Sequence, residues 1–127
     1  MKRGTISINE SVMYINQLNG NVLMTRHEIA DLFGVYISTV DINLRAIFKS
    51  EVLREADVCH THQYIDKNSM ECQILVYNLE IITALSYRLK SKNAKIFREW
   101  INKKIVETTT KMRTSIIVHC QDKLYFC

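Results

Sequence analysis

The sequence predicts a small α+β domain of the winged-helix type, in which a helix-turn-helix is combined with β-hairpins and a C-terminal pair of helices. Two short segments with apolar residues at helical spacing meet at Gly34. Segments of alternating apolar and polar residues lie before and after them, and two further helical patterns follow. With 127 residues, 47% of them hydrophobic, the chain can bury a core without metal or disulfide support.

Short strands are predicted at the start of the chain. Residues 5–16 alternate apolar and polar side chains around a turn at residues 9–11, a pattern that predicts a β-hairpin. A second turn signal, Asn-Gly-Asn at residues 19–21, precedes a third short strand over residues 22–24.

The first predicted helix spans residues 26–33. Thr25 and Glu28 form a capping-box pattern, because the threonine hydroxyl can accept from the third amide while the glutamate reaches back to the cap amide. Gly34 follows the helix, where a residue that tolerates the left-handed conformation is needed.

The second predicted helix spans residues 38–49, and Ser38 is interpreted as its cap because an acid, Asp41, follows three residues later. In the first turn Asp41 would be stabilised by exposed backbone amides. The predicted apolar stripe consists of Val40, Leu44 and Ile47, with Phe48 beside them.

A second hairpin, in the position of a wing, is predicted after a polar connection at residues 50–58. Residues 60–77 read as two strands around a turn at 66–69, since Asp, Asn and Ser favour turns. If that turn is centred near Asn68, Cys72 lies opposite Tyr64.

Two helices are predicted to follow, over residues 79–90 and 92–107, with Asn78 as the cap of the former. The predicted buried side of the last helix consists of Ala94, Phe97, Ile101 and Ile105. Residues 115–118 could form a strand.

The helix-turn-helix spacing favours DNA binding over simple packing of a helical corner. Polar and basic side chains are expected on the exposed side of the second helix, where Asn can bind adenine and Arg can bind guanine. The candidate contacts in and around the two helices are Arg26, His27, Ser38, Thr39, Asn43, Arg45 and Lys49. Lys67 and Asn68 are candidates at the tip of the second hairpin.

Basic residues cluster near the C-terminus. The chain has a formal charge of +4, but residues 88–104 carry seven basic side chains and one acid, a local charge of +6. A local positive field attracts polyanions, although a solvated helix face is the competing interpretation. The candidate phosphate contacts here are Arg88, Lys90, Lys92 and Arg98. Arg88 or Arg98 could instead lie flat on Trp100.

A zinc site is the least supported alternative. His60 and His62 would share one strand face with Cys72 nearby, but no fourth ligand is evident and the spacing matches no structural zinc pattern. Cys59 and Cys72 would be about five residues out of register, on the order of 16 Å, which excludes a disulfide between them. We therefore expect no metal and no cofactor, with reduced thiols in the cytoplasm.

Enzymatic activity is not expected. The sequence has no glycine-rich phosphate loop, no recognisable nucleophile and base, and no paired carboxylates in a motif. It has no apolar run near 18 residues and no apolar segment behind its basic N-terminus, so neither a membrane span nor a secretory signal is expected. Neither a membrane nor a small-molecule substrate is expected as a partner.

The segment YNLEIITALSYRLKSKNAKIFREW, residues 77–100, resembles the RhuM family of bacterial virulence-associated and phage-like proteins. The matching residues are Tyr77, Asn78, Leu79, Ile81, Ile82, Tyr87, Arg88, Ser91, Lys92, Phe97, Arg98 and Trp100. The resemblance covers about residues 20–106. The run Ser91, Ala94, Phe97, Trp100 is also similar, more distantly, to the amino-terminal domains of baculovirus repeated-ORF proteins and phage antirepressors.

The resemblance implies a DNA-binding protein encoded on a bacterial chromosome or mobile element, and we interpret it as a regulator of transcription at a virulence or mobile-element locus that binds double-stranded DNA. The predicted domain spans residues 1–107, and a homodimer is a candidate assembly because a single copy covers little DNA. The alternative is an antirepressor that binds a repressor protein, motivated by Asp41 and Ile42 in the second helix where relatives tend to be polar or basic. Relatives continue beyond the last matching helix, so residues 108–127 are interpreted as a C-terminal tail, native or left by a truncated reading frame.

Overall fold

A computed structural model describes residues 3–16 and 21–111 as a small α+β domain. Ten elements are described: β1 (Thr5–Asn9), β2 (Val12–Asn16), β3 (Leu23–Met24), α1 (Arg26–Phe33), α2 (Ile37–Lys49), α3 (Glu55–Val58), β4 (Cys59–Ile65), β5 (Glu71–Asn78), α4 (Leu79–Arg88) and α5 (Lys92–Lys111). The predicted strand at 115–118 and most of the predicted turn at 19–21 lie outside the described residues. In the described part of the chain, no helix is both long and apolar enough to cross a membrane.

The first hairpin is confirmed. β1 and β2 pair antiparallel with Asn9 opposite Val12, so only Glu10 and Ser11 connect them. Both connecting residues have positive φ, 51° and 66°. Two positive φ angles in a two-residue loop define a type I′ turn, whose twist matches that of the paired strands.

The second sheet has the strand order β3-β5-β4, and both pairings are antiparallel. The β4–β5 register runs from Cys59 opposite Tyr77 to Ile65 opposite Glu71. Cys72 therefore lies opposite Tyr64, as predicted. Cys59 and Cys72 are separate free thiols, and the expectation of no disulfide between them is confirmed.

Both hydrogen bonds of the predicted capping box of α1 are present. The Thr25 hydroxyl accepts from the Glu28 amide at 3.2 Å, and the Glu28 carboxylate accepts from the Thr25 amide at 2.8 Å. Arg3 also donates to the same carboxylate at 2.6 Å. Burial raises the pKa of Glu28, but the hydrogen bonds from Arg3 and Thr25 outweigh it, so the pKa is lowered overall.

The end of α1 sets the direction of α2. Gly34 is left-handed (φ 64°) and its amide donates to the Asp31 carbonyl, while the Val35 amide donates to the Ala30 carbonyl at 3.0 Å. This is a Schellman motif. Tyr36 is then extended and becomes the N-terminal flanking residue of α2.

The predicted Ser38 cap is wrong. α2 begins at Ile37, no side chain caps it, and Ser38 lies inside its first turn. The helix starts early because the Schellman motif ends at Val35 and leaves Tyr36 as the one extended residue. Asp41 consequently lies in the second turn, beyond the reach of the exposed amides that were expected to stabilise it.

The C-terminal helices differ from the prediction at their ends. Asn78 caps α4 as expected, accepting from the Ile81 amide at 3.2 Å. α4 stops at Arg88 because Leu89 is extended. α5 runs to Lys111, four residues beyond the predicted end. Ile105 is 58% exposed, which contradicts its predicted burial, because the helix has left the core by that point.

The core is formed where α1, α2, α4 and α5 meet the base of the second sheet. Phe33 of α1 and Phe97 of α5 are fully buried and pack edge to face with their ring centroids 5.5 Å apart. Asn93 of α5 donates to the Leu32 carbonyl at 2.9 Å. These contacts join α1 to α5, the last of the described helices.

Replacing Gly34 by alanine should lower the free energy of unfolding by about 1–2 kcal/mol, since a residue with a Cβ is strained in the left-handed conformation. The new Cβ would meet Asn93 Nδ2 at 3.7 Å, an ordinary contact, so the loss is a backbone effect. Gly34→Asn should cost less, because asparagine tolerates this conformation. Urea unfolding measures both, and equal losses would contradict the backbone explanation.

Candidate nucleic-acid interface

α2 has one face in the core and the opposite face in solvent. Val40, Leu44 and Ile47 are at most 5% exposed. The side chains on the opposite face are Ser38, Ile42, Arg45 and Lys49, all exposed, and we call them the α2 stripe. Their spacing of four, three and four residues places them on one line along the helix. The stripe is therefore available to a partner molecule over the whole length of α2.

One edge of the α2 stripe carries a neutralised cation. Arg26, at the start of α1, donates to Asp41 of α2 at 2.7 Å. The hydrogen bond that Arg26 donates to Asp41, together with the negative charge of Asp41, raises the pKa of Arg26. Asp41, which the sequence suggested would cap α2, instead ties α1 to α2 and cancels a charge that a phosphate would need.

On the other edge of the α2 stripe, Arg88 is hydrogen-bonded to a neutral side chain, Asn43. Arg88, at the end of α4, donates from Nε to the Asn43 side-chain oxygen at 3.1 Å. Asn43 in turn donates to the Thr39 carbonyl at 2.8 Å. Both ends of the Asn43 amide are thus occupied, so reading a base would require these bonds to break. Arg88 keeps its full charge beside α2, because an amide does not neutralise it.

The remaining predicted contacts on the two helices differ in exposure. His27 and Arg45 are exposed, although Arg45 makes a 3.4 Å contact with the Asp41 carbonyl. Lys49 is exposed at the end of α2. Thr39 is half-buried.

The second hairpin flanks α2 across a cleft. The cleft is lined by Arg26, Asp41, Leu44, Arg45, Phe48, Glu55, Leu75 and Tyr77. Its two arginines are balanced by two acids, so the cleft itself has no net charge. Burial raises the pKa of Tyr77 to about 12. Lys67 and Asn68 are exposed at the distant tip of the hairpin.

The basic cluster divides into structural and exposed cations. The Arg98 guanidinium donates to the Ser86 carbonyl and, at 2.9 Å, to the Leu89 carbonyl, so it caps the end of α4. The cation over Trp100 is Lys104, at 5.9 Å, not Arg88 or Arg98 as the sequence suggested. Lys104 also pairs with Glu107 at 3.5 Å. Lys90 and Lys92 are exposed. Arg98 is thus the weakest of the predicted phosphate contacts.

The zinc alternative gains no support. Within residues 3–16 and 21–111, no three His, Cys, Asp or Glu side chains come together as a potential metal site. Cys72 lies near the hairpin turn, where its thiol contacts Asp66 at 3.6 Å.

Sequence reasoning missed several exposed side chains on the segment before α2 and on the second hairpin. Tyr36 is 82% exposed directly before α2. Gln63 and Gln73 are exposed on the second hairpin. Strand alternation could have signalled the two glutamines, since a polar residue at every second position marks a solvent-facing side.

Comparison with protein-family models, with curated proteins and with solved structures gave no match for this chain. The resemblance to RhuM proteins and the functions that it implies therefore stay predictions.

Replacing Arg98 by alanine should lower the free energy of unfolding by about 2 kcal/mol, because charge-assisted hydrogen bonds to the last carbonyls of α4 are lost. Arg88→Ala, a change at an exposed position, should stay within about 0.5 kcal/mol of the wild type. Chemical denaturation followed by circular dichroism distinguishes the two. A stable Arg98→Ala variant would show that the guanidinium is not a structural cap.

Proposed function

We propose that the protein binds double-stranded DNA without enzymatic activity and regulates transcription, with α2 approaching the major groove. The observation that carries the proposal is the exposed α2 stripe, which stands opposite a fully buried face of the same helix. The B-form major groove admits an α-helix presented in this way. Ser38, Arg45 and Lys49 would face the DNA.

The exposed cations around α2 support the same proposal. Arg88 lies beside Asn43, and Lys90 and Lys92 follow it in the connection to α5 and at the start of that helix. Contacts of this type orient a protein on the duplex without reading its sequence. The resulting affinity would depend on salt, with log K falling by about 0.9 per phosphate neutralised for each unit of log salt.

A protein partner is the second candidate function, as in an antirepressor that binds a repressor. It is favoured by Ile42, which is 61% exposed in the middle of the α2 stripe, and by Tyr36 beside it. Exposed apolar and aromatic side chains at the centre of a patch are typical of protein interfaces. In the DNA complex, Ile42 would instead contact a thymine methyl group.

Removing Arg45 or Arg88 should weaken binding to mixed-sequence duplex at low salt and reduce the salt slope by about one contact each. Fluorescence anisotropy at several salt concentrations measures both quantities. Lys104→Ala is the matched control, since it removes a cation that is already paired with Glu107 on the exposed half of α5. It should leave the slope unchanged.

The same titrations separate the two candidate functions. If the wild-type protein does not bind duplex at low salt, or if binding is indifferent to Arg45→Ala and Arg88→Ala, the DNA proposal is wrong and the protein partner is favoured.

Asp41→Asn should strengthen DNA binding about 3- to 10-fold at low salt, because it removes one repulsive charge and frees Arg26, both beside the α2 stripe. The cost in stability should be small, since a partly exposed ion pair contributes about 0–1 kcal/mol. Glu107→Gln makes the same change in net charge on the exposed half of α5. Equal gains for the two variants would attribute the effect to net charge and not to the position of Asp41.

A further inference from the structure

The β4–β5 hairpin is a ribbon with two distinct faces. Alternate residues of a strand share a face, and cross-strand partners share it too. Tyr77 and Leu75 line the cleft with α2, so their face is the one on the α2 side. By the register, Gln73 lies on that face with its partner Gln63, and Thr61 faces Leu75. We call Thr61, Gln63, Gln73 and Leu75 the ribbon face.

The two glutamines form a cross-strand pair at the centre of the ribbon face. Gln63 lies directly opposite Gln73, and both are exposed. They lie four residues from the pair formed by the buried Tyr77 and the partly buried Cys59, which is roughly 13 Å along the strands. The pair therefore stands away from the core on the same side as α2, with the cleft between them.

The tip of the ribbon is held in one conformation. Asp66 Oδ1 accepts from the amides of Asn68 and Met70, each at 2.9 Å. The Asp66 amide donates to the Met70 carbonyl at 3.0 Å, and the Cys72 thiol contacts the other carboxylate oxygen. The hydrogen bonds from Met70 and Asn68 lower the pKa of Asp66. A ribbon whose turn is already ordered loses little conformational freedom on binding.

The chemistry of the ribbon face suits base edges better than phosphates. Its polar residues are neutral amides and a hydroxyl, whereas phosphate contacts are made mainly by cations. Glu71 lies farther out on the same side, opposite Ile65, and its carboxylate would be repelled by a phosphate backbone. A glutamine amide has one donor and one acceptor at the spacing of adenine N7 and N6, and the major groove admits a two-stranded ribbon.

We infer that Gln63 and Gln73 form a second base-reading element that recognises adenine in the major groove beside the bases contacted by α2. This inference rests on the proposed DNA-binding function and adds specificity to it. The two glutamines lie roughly 13 Å from Tyr77 along the ribbon. Base pairs are spaced about 3.4 Å apart, so the glutamines would read positions at the edge of the site, about four base pairs from the positions nearest the cleft.

The test is selection of bound duplexes from a random pool by the full-length protein, its Gln63→Ala/Gln73→Ala variant and a His60→Ala control. His60 is exposed on the same strand but on the opposite face. The double variant should lose about tenfold discrimination for adenine at the edge positions. Its preferences at the central positions and its affinity for mixed duplex at low salt should stay at the wild-type level. The control should keep all preferences.

A second variant tests the contact by a change of preference. In Gln63→Glu the new carboxylate can only accept hydrogen bonds, so selection should shift from adenine to cytosine at one edge position. Edge preferences that survive the double variant, or that His60→Ala also removes, would overturn the inference and leave the proposed function standing. Failure of the wild-type protein to bind any duplex at low salt would overturn both.

Discussion

The burial of one face of α2 is the constraint on which the candidate interface depends. Val40, Leu44 and Ile47 insert into a core shared with α1, α4 and α5, and this packing turns the polar face of α2 outward. In the same core, the ring of Phe33 packs against the ring of Phe97. A polar helix in isolation has no fixed orientation, and most helical stability in a domain comes from such apolar faces. The packing of the core therefore determines that the α2 stripe faces solvent.

Charge in this protein is distributed less simply than the sequence total suggests. Arg98 serves the end of α4, Lys104 is paired, and Arg26 is neutralised by Asp41. Arg88, in contrast, donates to the neutral side-chain amide of Asn43, so its positive charge can still attract a polyanion. Because a paired cation attracts a phosphate weakly, the positions of a few unneutralised arginines and lysines matter more than the formal charge of +4.

The two candidate functions use the same surface for different physical reasons. DNA binding would use the polar and basic members of the α2 stripe together with the neutral amides of the ribbon face. A protein partner would use Ile42 and Tyr36, whose apolar surface is exposed to water at a cost that a partner would relieve. Asp41 opposes DNA binding, because its carboxylate is a negative charge beside the α2 stripe and neutralises Arg26.

By itself, the sequence determined the features that depend on neighbouring residues. These include the capping box at Thr25, the left-handed Gly34, the Asn78 cap and the register around Asn68, because each is formed by contacts within a few residues or by strict alternation. It also indicated which face of α2 is polar. Only the tertiary structure decided that Asp41 pairs with Arg26, that Arg98 caps α4 and that Asn43 is held by Arg88. Each of these depends on groups brought together by packing from distant parts of the chain, and helical periodicity or residue type carries no information about which distant groups will meet.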